Sequence, residues 1–387
     1  MTKKYILSTE VIFFIVFSIF SSILYVGIRT DIQTHIGVVE KTVNGTILPP
    51  ANFLYYLTIY AFTFFQTNVR LLRLSSVIVL SLAVTAKFLI TYKFIISYNK
   101  KAVKRSNVPE WFILLYCILL LFAFSLPTIA ALKGRFYLGQ FPPNVWHNST
   151  TVFVMPFALL LFWLSYEQLK GPITQRLLLI TLFCVLNILI KPNFYFVFCV
   201  VYPIMLVSRF GFRKELWLNL IPIIAGTVLL IGEYYLIFVF RFGNPGETEG
   251  NLGIAISLFA VWSRYSSNIA VSFLASALFP LVYLCFYWRE LFKNLLLQYA
   301  VLLYLIAIAM TSVFTEIGAR QTHGNFIWQS IICTYILFMV VSALFVGKVK
   351  FVKKGDWPNK VVLVSFLLHA ISGFVYLIYL FSTKSYR

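Results

Sequence analysis

Residues 51–67 read ANFLYYLTIYAFTFFQT, and whether this stretch crosses a membrane decides on which side every later loop lies. It follows Pro49-Pro50, is short for a span and is rich in tyrosine, as a helix lying at the head-group level would be. Around it lie blocks of continuously apolar sequence, each near the roughly 20 residues that cross a bilayer as helix. They occupy 5–27, 74–97, 110–132, 151–167, 176–190, 192–208, 216–238, 268–287, 294–314, 327–346 and 360–381. The expected fold is therefore all-α and polytopic, with about 11 spans. Residues 1–387 form a single transmembrane domain, in which 28–73 is the first extracytoplasmic loop and 51–67 its interfacial helix.

Composition excludes the alternatives. The 387 residues are 60% hydrophobic and only 11% charged, which no soluble domain of this size would tolerate. A closed barrel needs short strands of alternating polarity, and these blocks do not alternate. The net charge of +20, from 32 Lys and Arg against 12 Asp and Glu, sits largely in short loops. It reads as a topology signal and as contact with anionic lipid head groups, not as a nucleic-acid face.

Charge also decides the ambiguous stretch. If 51–67 lies flat, the side holding the N-terminus collects 17 Lys and Arg against 12 on the other; if it spans, the two numbers exchange. The clusters at 100–105 and 348–354 carry most of the difference, so the flat reading with a cytoplasmic N-terminus is expected. Segments 28–73, 133–150, Lys191, 239–267 and 315–326 then share the extracytoplasmic side. They also hold the unusual polar residues, which predicts one site there.

Other signals are weaker. Cys117, Cys184, Cys199, Cys285 and Cys333 lie inside apolar blocks with no zinc or redox spacing and read as small core residues. The first block lacks a small-residue cleavage site and reads as a span. Sequons begin at Asn44 and Asn148. No Walker A loop, GxGxxG, HExxH or GxSxG occurs, so ATP-driven transport, dinucleotide chemistry and those hydrolase types lack support.

Ionisable groups near a membrane are costly enough to be candidate functional residues. Asp31 lies where the first span ends, and His35 follows at i+4, on the same face if the helix continues. The carboxylate can take a proton from a hydroxyl or share a divalent metal with the imidazole; the alternative is a solvated helix end paired with Arg29. A second constellation, 315–328, sets Glu316, Arg320, His323 and Asn325 close together. Arg320 suits a phosphate, and Glu316 with His323 suits a metal or a proton transfer.

In 137–150, Tyr137, Trp146 and His147 stand among turn formers. Trp146 reads either as a head-group belt residue or as a platform for a sugar ring. Lys191, between two apolar stretches with no polar loop, must snorkel or find an anion; Pro192 reads as a helical hairpin turn. His369, inside the last block, reads as a packed or interhelical residue.

An acid just beyond the first span, then Pro-Pro, a Leu-Tyr-Tyr helix and an Arg-Leu step into the second span are present as Asp31, Pro49-Pro50, Leu54-Tyr55-Tyr56 and Arg73-Leu74. This order resembles membrane glycosyltransferases of the GT-C fold, such as the protein mannosyltransferases and the aminoarabinose transferase of lipid A, over roughly the first hundred residues. The Trp146-His147-Asn148 and His323-Gly324-Asn325 stretches look like features of a bacterial branch. The resemblance implies sugar transfer from a polyprenyl-phosphate donor to a glycan or lipid acceptor, on the extracytoplasmic face of the bacterial cytoplasmic membrane. Asp31 would be general base or metal-associated residue, and Tyr55 and Tyr56 would join the substrate-binding set. The paired acids common in that first loop are absent, since Thr30 and Ile32 flank Asp31. A transporter or flippase for a lipid-linked glycan, or a polysaccharide polymerase, remains open. A transporter would place charges at the midplane of discontinuous helices in related halves, and no such halves are visible.

Overall fold

The computed structural model describes residues 9–102, 108–127, 139–171, 175–243, 253–318, 321, 324–348 and 356–383. It is an all-α, polytopic membrane protein. Among the described residues nine helices are long and apolar enough to cross a membrane, and two apolar helices, Glu110–Phe122 and Leu177–Ile190, are shorter.

The bundle is built around its most uniformly apolar element. Ile327–Val346, here α14, contains no charged residue and is buried at every position except Trp328. A helix apolar on every side has no face to give to water, so it takes the axis. Against it pack α4 (Val69–Ala102), α6 (Ser149–Leu169), α8 (Asn193–Phe210), α12 (Ile269–Leu291) and α13 (Leu295–Val313). The periphery holds α1 (Thr9–Ser22), α7 (Leu177–Ile190), α10 (Ile221–Tyr234, preceded by the short α9, Lys214–Asn219) and α15 (Trp357–Thr383). Their large apolar side chains, such as Phe14, Val228 and Ile378, point outward. An apolar exterior this extensive is stable only against lipid.

The first loop is more structured than the sequence suggests. The first helix does not continue through Asp31: it widens into a π turn at Ile23–Gly27, and Ile28 is extended. A separate helix, α2 (Ile32–Val43), then buries Ile32, Ile36 and Val39, which recur at helical spacing. Within 51–67 only α3, Leu54–Ala61, is helical. Eight residues rise about 12 Å, well short of the roughly 30 Å hydrocarbon thickness, so the chain does not cross there. Phe64 and Phe65 follow in left-handed conformation, both largely exposed, and reverse the chain.

The block at 110–132 is corrected. Its helix, α5 (Glu110–Phe122), stops early, and 123–127 is not helical. Pro127 disfavours helical geometry at the residue before it, and the freed backbone groups are taken up by α15. Phe124 N–H donates to the His369 carbonyl (2.9 Å), His369 Nδ1 bonds the Phe124 carbonyl (2.6 Å) and Ser372 Oγ donates to the Ser125 carbonyl (2.5 Å). His369 is thus interhelical. A two-stranded antiparallel ribbon, β1 (Ile254–Ile256) with β2 (Phe314–Glu316), is a second element that apolar blocks did not announce; it pairs Ile254 with Glu316. It ties 239–267 to 315–326 at the end of the bundle that also carries Asp31. The short helix α11, Ala260–Tyr265, follows β1.

Candidate functional site

A cavity of about 500 Å³ opens at this end. Asp31, Asn148, Lys191, Ile254 and Glu316 are in its wall, one from each of the five polar segments singled out in the sequence. Five stretches scattered over nearly three hundred residues therefore meet around one chamber.

Asp31 stands immediately before α2, and its side chain bridges that helix to the start of α6. Oδ1 accepts from Ser149 N (2.9 Å) and Ser149 Oγ (2.5 Å), and Oδ2 from Asn148 Nδ2 (3.2 Å) and His35 Nε2 (3.2 Å). Its own N–H donates to the His147 carbonyl at 3.0 Å. Burial alone would raise the Asp31 pKa; His35 and Ser149 outweigh it and hold the carboxyl below its ordinary 3.8. A helix N-terminus favours an anion for the same reason. The i+4 relation to His35 survives because Asp31 is the residue just before the new helix and its carbonyl accepts from His35 N at 3.2 Å, not because the first span continues.

A carboxylate only accepts, so Nε2 of His35 carries the hydrogen, leaving Nδ1 as an acceptor facing the Tyr56 hydroxyl at 3.1 Å. Burial, reinforced by the negative Asp31, raises the Tyr56 pKa, and the phenol remains the donor. Tyr55 is fully buried behind this chain, edge-on to the His35 ring at 5.3 Å between centroids. Of the two tyrosines expected at the site, Tyr56 lines the chamber and Tyr55 supports His35.

Lys191 follows α7 with extended backbone, and its ammonium donates to Asn148 Oδ1 and Thr150 Oγ1, both at 3.0 Å. It lies 4.5 Å from the centre of the Trp328 ring. It has thus found neutral oxygens and an aromatic face. Burial lowers its pKa to about 7, with Asp31 opposing the shift. Asn148 joins both charges, bonding Asp31 through Nδ2 and Lys191 through Oδ1 while capping α6 at Thr151 N (3.1 Å). That engagement also makes the Asn148 sequon part of the interior site.

Glu316, on β2, accepts from Asn325 Nδ2 at 2.5 Å, and the Asn325 carbonyl accepts from Asn193 Nδ2 at 2.7 Å. Both Glu316 and Asn325 line the chamber. Arg320 and His323, between them in sequence, and Tyr137 lie outside the described residues.

Two expected site residues sit elsewhere. Trp146 is neither a belt residue nor a sugar platform: it is buried in an aromatic stack with Phe124 (6.2 Å) and Tyr376 (5.9 Å), well inside the bundle. The aromatic ring in the chamber wall is Trp328. His147 is buried behind the wall, edge-on to Trp328 at 6.4 Å, and burial lowers its pKa to about 4, leaving it neutral. Among the described residues no three His, Cys, Asp or Glu side chains come together as a metal site. The oxygens of Asp31 are already occupied by four donors, so this set does not fit a divalent ion.

Sequence reasoning passed over Asn148, Ser149 and Thr150 as site residues. The pattern of Asn before an apolar block, with Thr three residues on, was a readable N-cap signal. It also passed over Glu233, whose signal was its isolation in an apolar block.

Beside the chamber runs a second, almost wholly apolar groove of about 960 Å³. Val39, Leu57, Leu189 and Leu236 are in its wall, and it shares Pro50, Ala51, Tyr56, Glu233 and Phe242 with the chamber. Comparison with protein-family models, with curated proteins and with solved structures finds no match to this chain.

Proposed function

We propose that the chain is a membrane glycosyltransferase of GT-C type, moving a sugar from a polyprenyl-phosphate donor to an acceptor hydroxyl on the extracytoplasmic face. The observation that carries this reading is the union of a long apolar groove with a polar, mixed-charge chamber through a shared wall. A substrate fitting both has a hydrocarbon chain and a hydrophilic, anionic head, which describes a lipid-linked sugar phosphate. In this reading the chain lies in the groove and the phosphate meets Lys191, whose ammonium has no anion among its direct bonds.

The base is the Asp31–His35 pair rather than Asp31 alone. All four acceptor positions of the carboxylate are in use, whereas Nδ1 of His35 is held only by Tyr56. An acceptor hydroxyl replacing Tyr56 gives its proton to Nδ1 as its oxygen bonds the anomeric carbon. The bond from that carbon to the phosphate oxygen breaks, and its electron pair leaves on the lipid phosphate beside Lys191. Asp31 stabilises the imidazolium and fixes its tautomer.

Purified protein in nanodiscs, given radiolabelled polyprenyl-phosphate sugar and a panel of acceptors, tests the reading. Transfer is the expected result; flux of lipid or solute across the bilayer without any transfer would replace it with the transporter. Lys191 adds a pH signature. Below about pH 7 it is an ammonium and above that value an amine, so affinity for lipid phosphate falls as pH rises through 7. Lys191→Met removes that dependence. A binding curve equally pH-dependent in the variant would take the phosphate away from Lys191.

The orientation rests on the loop charges and is checked by labelling. Single cysteines placed at Thr46 and Lys100, both exposed, in a background freed of the native cysteines should react with an impermeant reagent from outside and inside, respectively. Labelling of both from one side overturns the arrangement.

A further inference from the structure

Glu233 is the sole charged residue between Glu215 and Arg241. It is 4% exposed, and among the described residues its Oε1 has no hydrogen-bond partner. The side chain is in the wall of both the apolar groove and the chamber, at the neck between them. Two residues on, after Tyr234, α10 widens into a π turn at Tyr235–Val239, an irregularity that recurs at functional sites. A carboxyl set in an apolar wall with an unsatisfied oxygen is destabilising by itself, so packing does not account for it.

The chemistry of the neck selects what can satisfy it. A buried carboxyl exchanges hydrogen bonds with hydroxyls and has no positive charge to hold a phosphate, while the cation on the same chamber, Lys191, attracts one. The two groups therefore divide a lipid-linked sugar between them, with the anion at Lys191 and the hydrogen-bond donors of the head group at Glu233. We infer that Glu233 forms a sugar-hydroxyl subsite at the neck, reading the glycosyl part of the substrate and not its lipid phosphate. The inference rests on the lipid-linked reading given above and adds a specificity-determining residue to it.

The test is direct binding in nanodiscs, by native mass spectrometry, of polyprenyl phosphate and of polyprenyl-phosphate hexose to wild type, Glu233→Leu and Glu233→Gln. Leucine fits the apolar wall and removes both oxygens. The glycosylated lipid should bind about tenfold more weakly to that variant, the loss of one hydrogen bond at a buried carboxyl, with the bare lipid phosphate changed less than about twofold. Glutamine keeps an acceptor and should stay within about threefold of wild type for both lipids. Equal loss for the two lipids, or no loss for either, overturns the subsite while leaving the lipid-linked reading intact. Wild-type protein that binds neither lipid overturns that reading and the subsite with it.

Discussion

Asp31→Asn is expected to lower the turnover of sugar transfer by about 10² to 10⁴, the range over which a positioned base contributes, with little change in the apparent affinity for the lipid donor. The split follows from geometry. Four donors converge on the carboxylate: Ser149 N and Oγ on one oxygen, Asn148 Nδ2 and His35 Nε2 on the other. An amide places an NH₂ group against one of those pairs, so a donor faces donors. If the amide oxygen stays toward Ser149, the NH₂ confronts Nε2, and His35 must move its hydrogen to Nδ1, the nitrogen that is to receive the proton. The bonds of Lys191 to Asn148 and Thr150 do not involve Asp31, so the proposed phosphate contact should persist. His35→Gln should show the same split, whereas Tyr56→Phe should be milder, because it removes only the group the acceptor displaces. Initial rates against donor concentration, with thermal midpoints measured alongside, separate these effects. Turnover unchanged in Asp31→Asn would remove the pair from catalysis. The pH side has a definite sign: the Asp31 pKa is depressed in the folded protein, so the stability it contributes is complete above 3.8 and is lost as pH falls through its lower folded value.

How much of this was legible depends on the signal each feature leaves. Eleven apolar blocks are long, continuous patterns, and among the described residues an apolar helix stands at each of them, nine of these long enough to cross a membrane. The meeting of Asp31, Lys191 and Glu316 was legible because loop charges sort segments by side before any contact is known. Distances within the site were not, since Asn148 and Ser149 bond Asp31 across more than a hundred residues. Trp146 shows a different limit. An aromatic residue near a turn suits a membrane interface and a core equally, and only the stack on Phe124 and Tyr376 decides between them. The early end of α5 had a local cue in Pro127, but the partners that make the break tolerable lie on α15, beyond reach of any local pattern.

That break gives the largest expected effect on stability. Non-helical backbone at membrane depth persists only where protein supplies its hydrogen bonds, and α15 does so through His369, Ser372 and close approach at Gly373. A Cβ built on Gly373 would lie 1.4 Å from the Phe122 carbonyl oxygen and 2.6 Å from its carbon. Both are backbone atoms, which cannot swing aside as a side-chain tip would. Gly373→Ala must therefore push α15 off the end of α5, with a cost of about 3 kcal/mol or more, at the upper end for overpacked cores. Gly232→Ala is the matched control: a Cβ there meets nothing within 4 Å, and removing a helical glycine should leave stability unchanged or slightly raised. His369 holds two broken helices at once. Nδ1 bonds the Phe124 carbonyl, and Nε2 accepts from Phe279 N at 3.3 Å, just past the non-helical Ala277 of α12. Only the neutral ring with its hydrogen on Nδ1 satisfies both. His369→Ala strands a buried carbonyl and a buried N–H, at about 1 to 3 kcal/mol each. Thermal midpoints in one detergent should therefore fall steeply for Gly373→Ala and His369→Ala and stay level for Gly232→Ala. A Gly373→Ala protein as stable as wild type would mean that α5 and α15 are not in contact at this break.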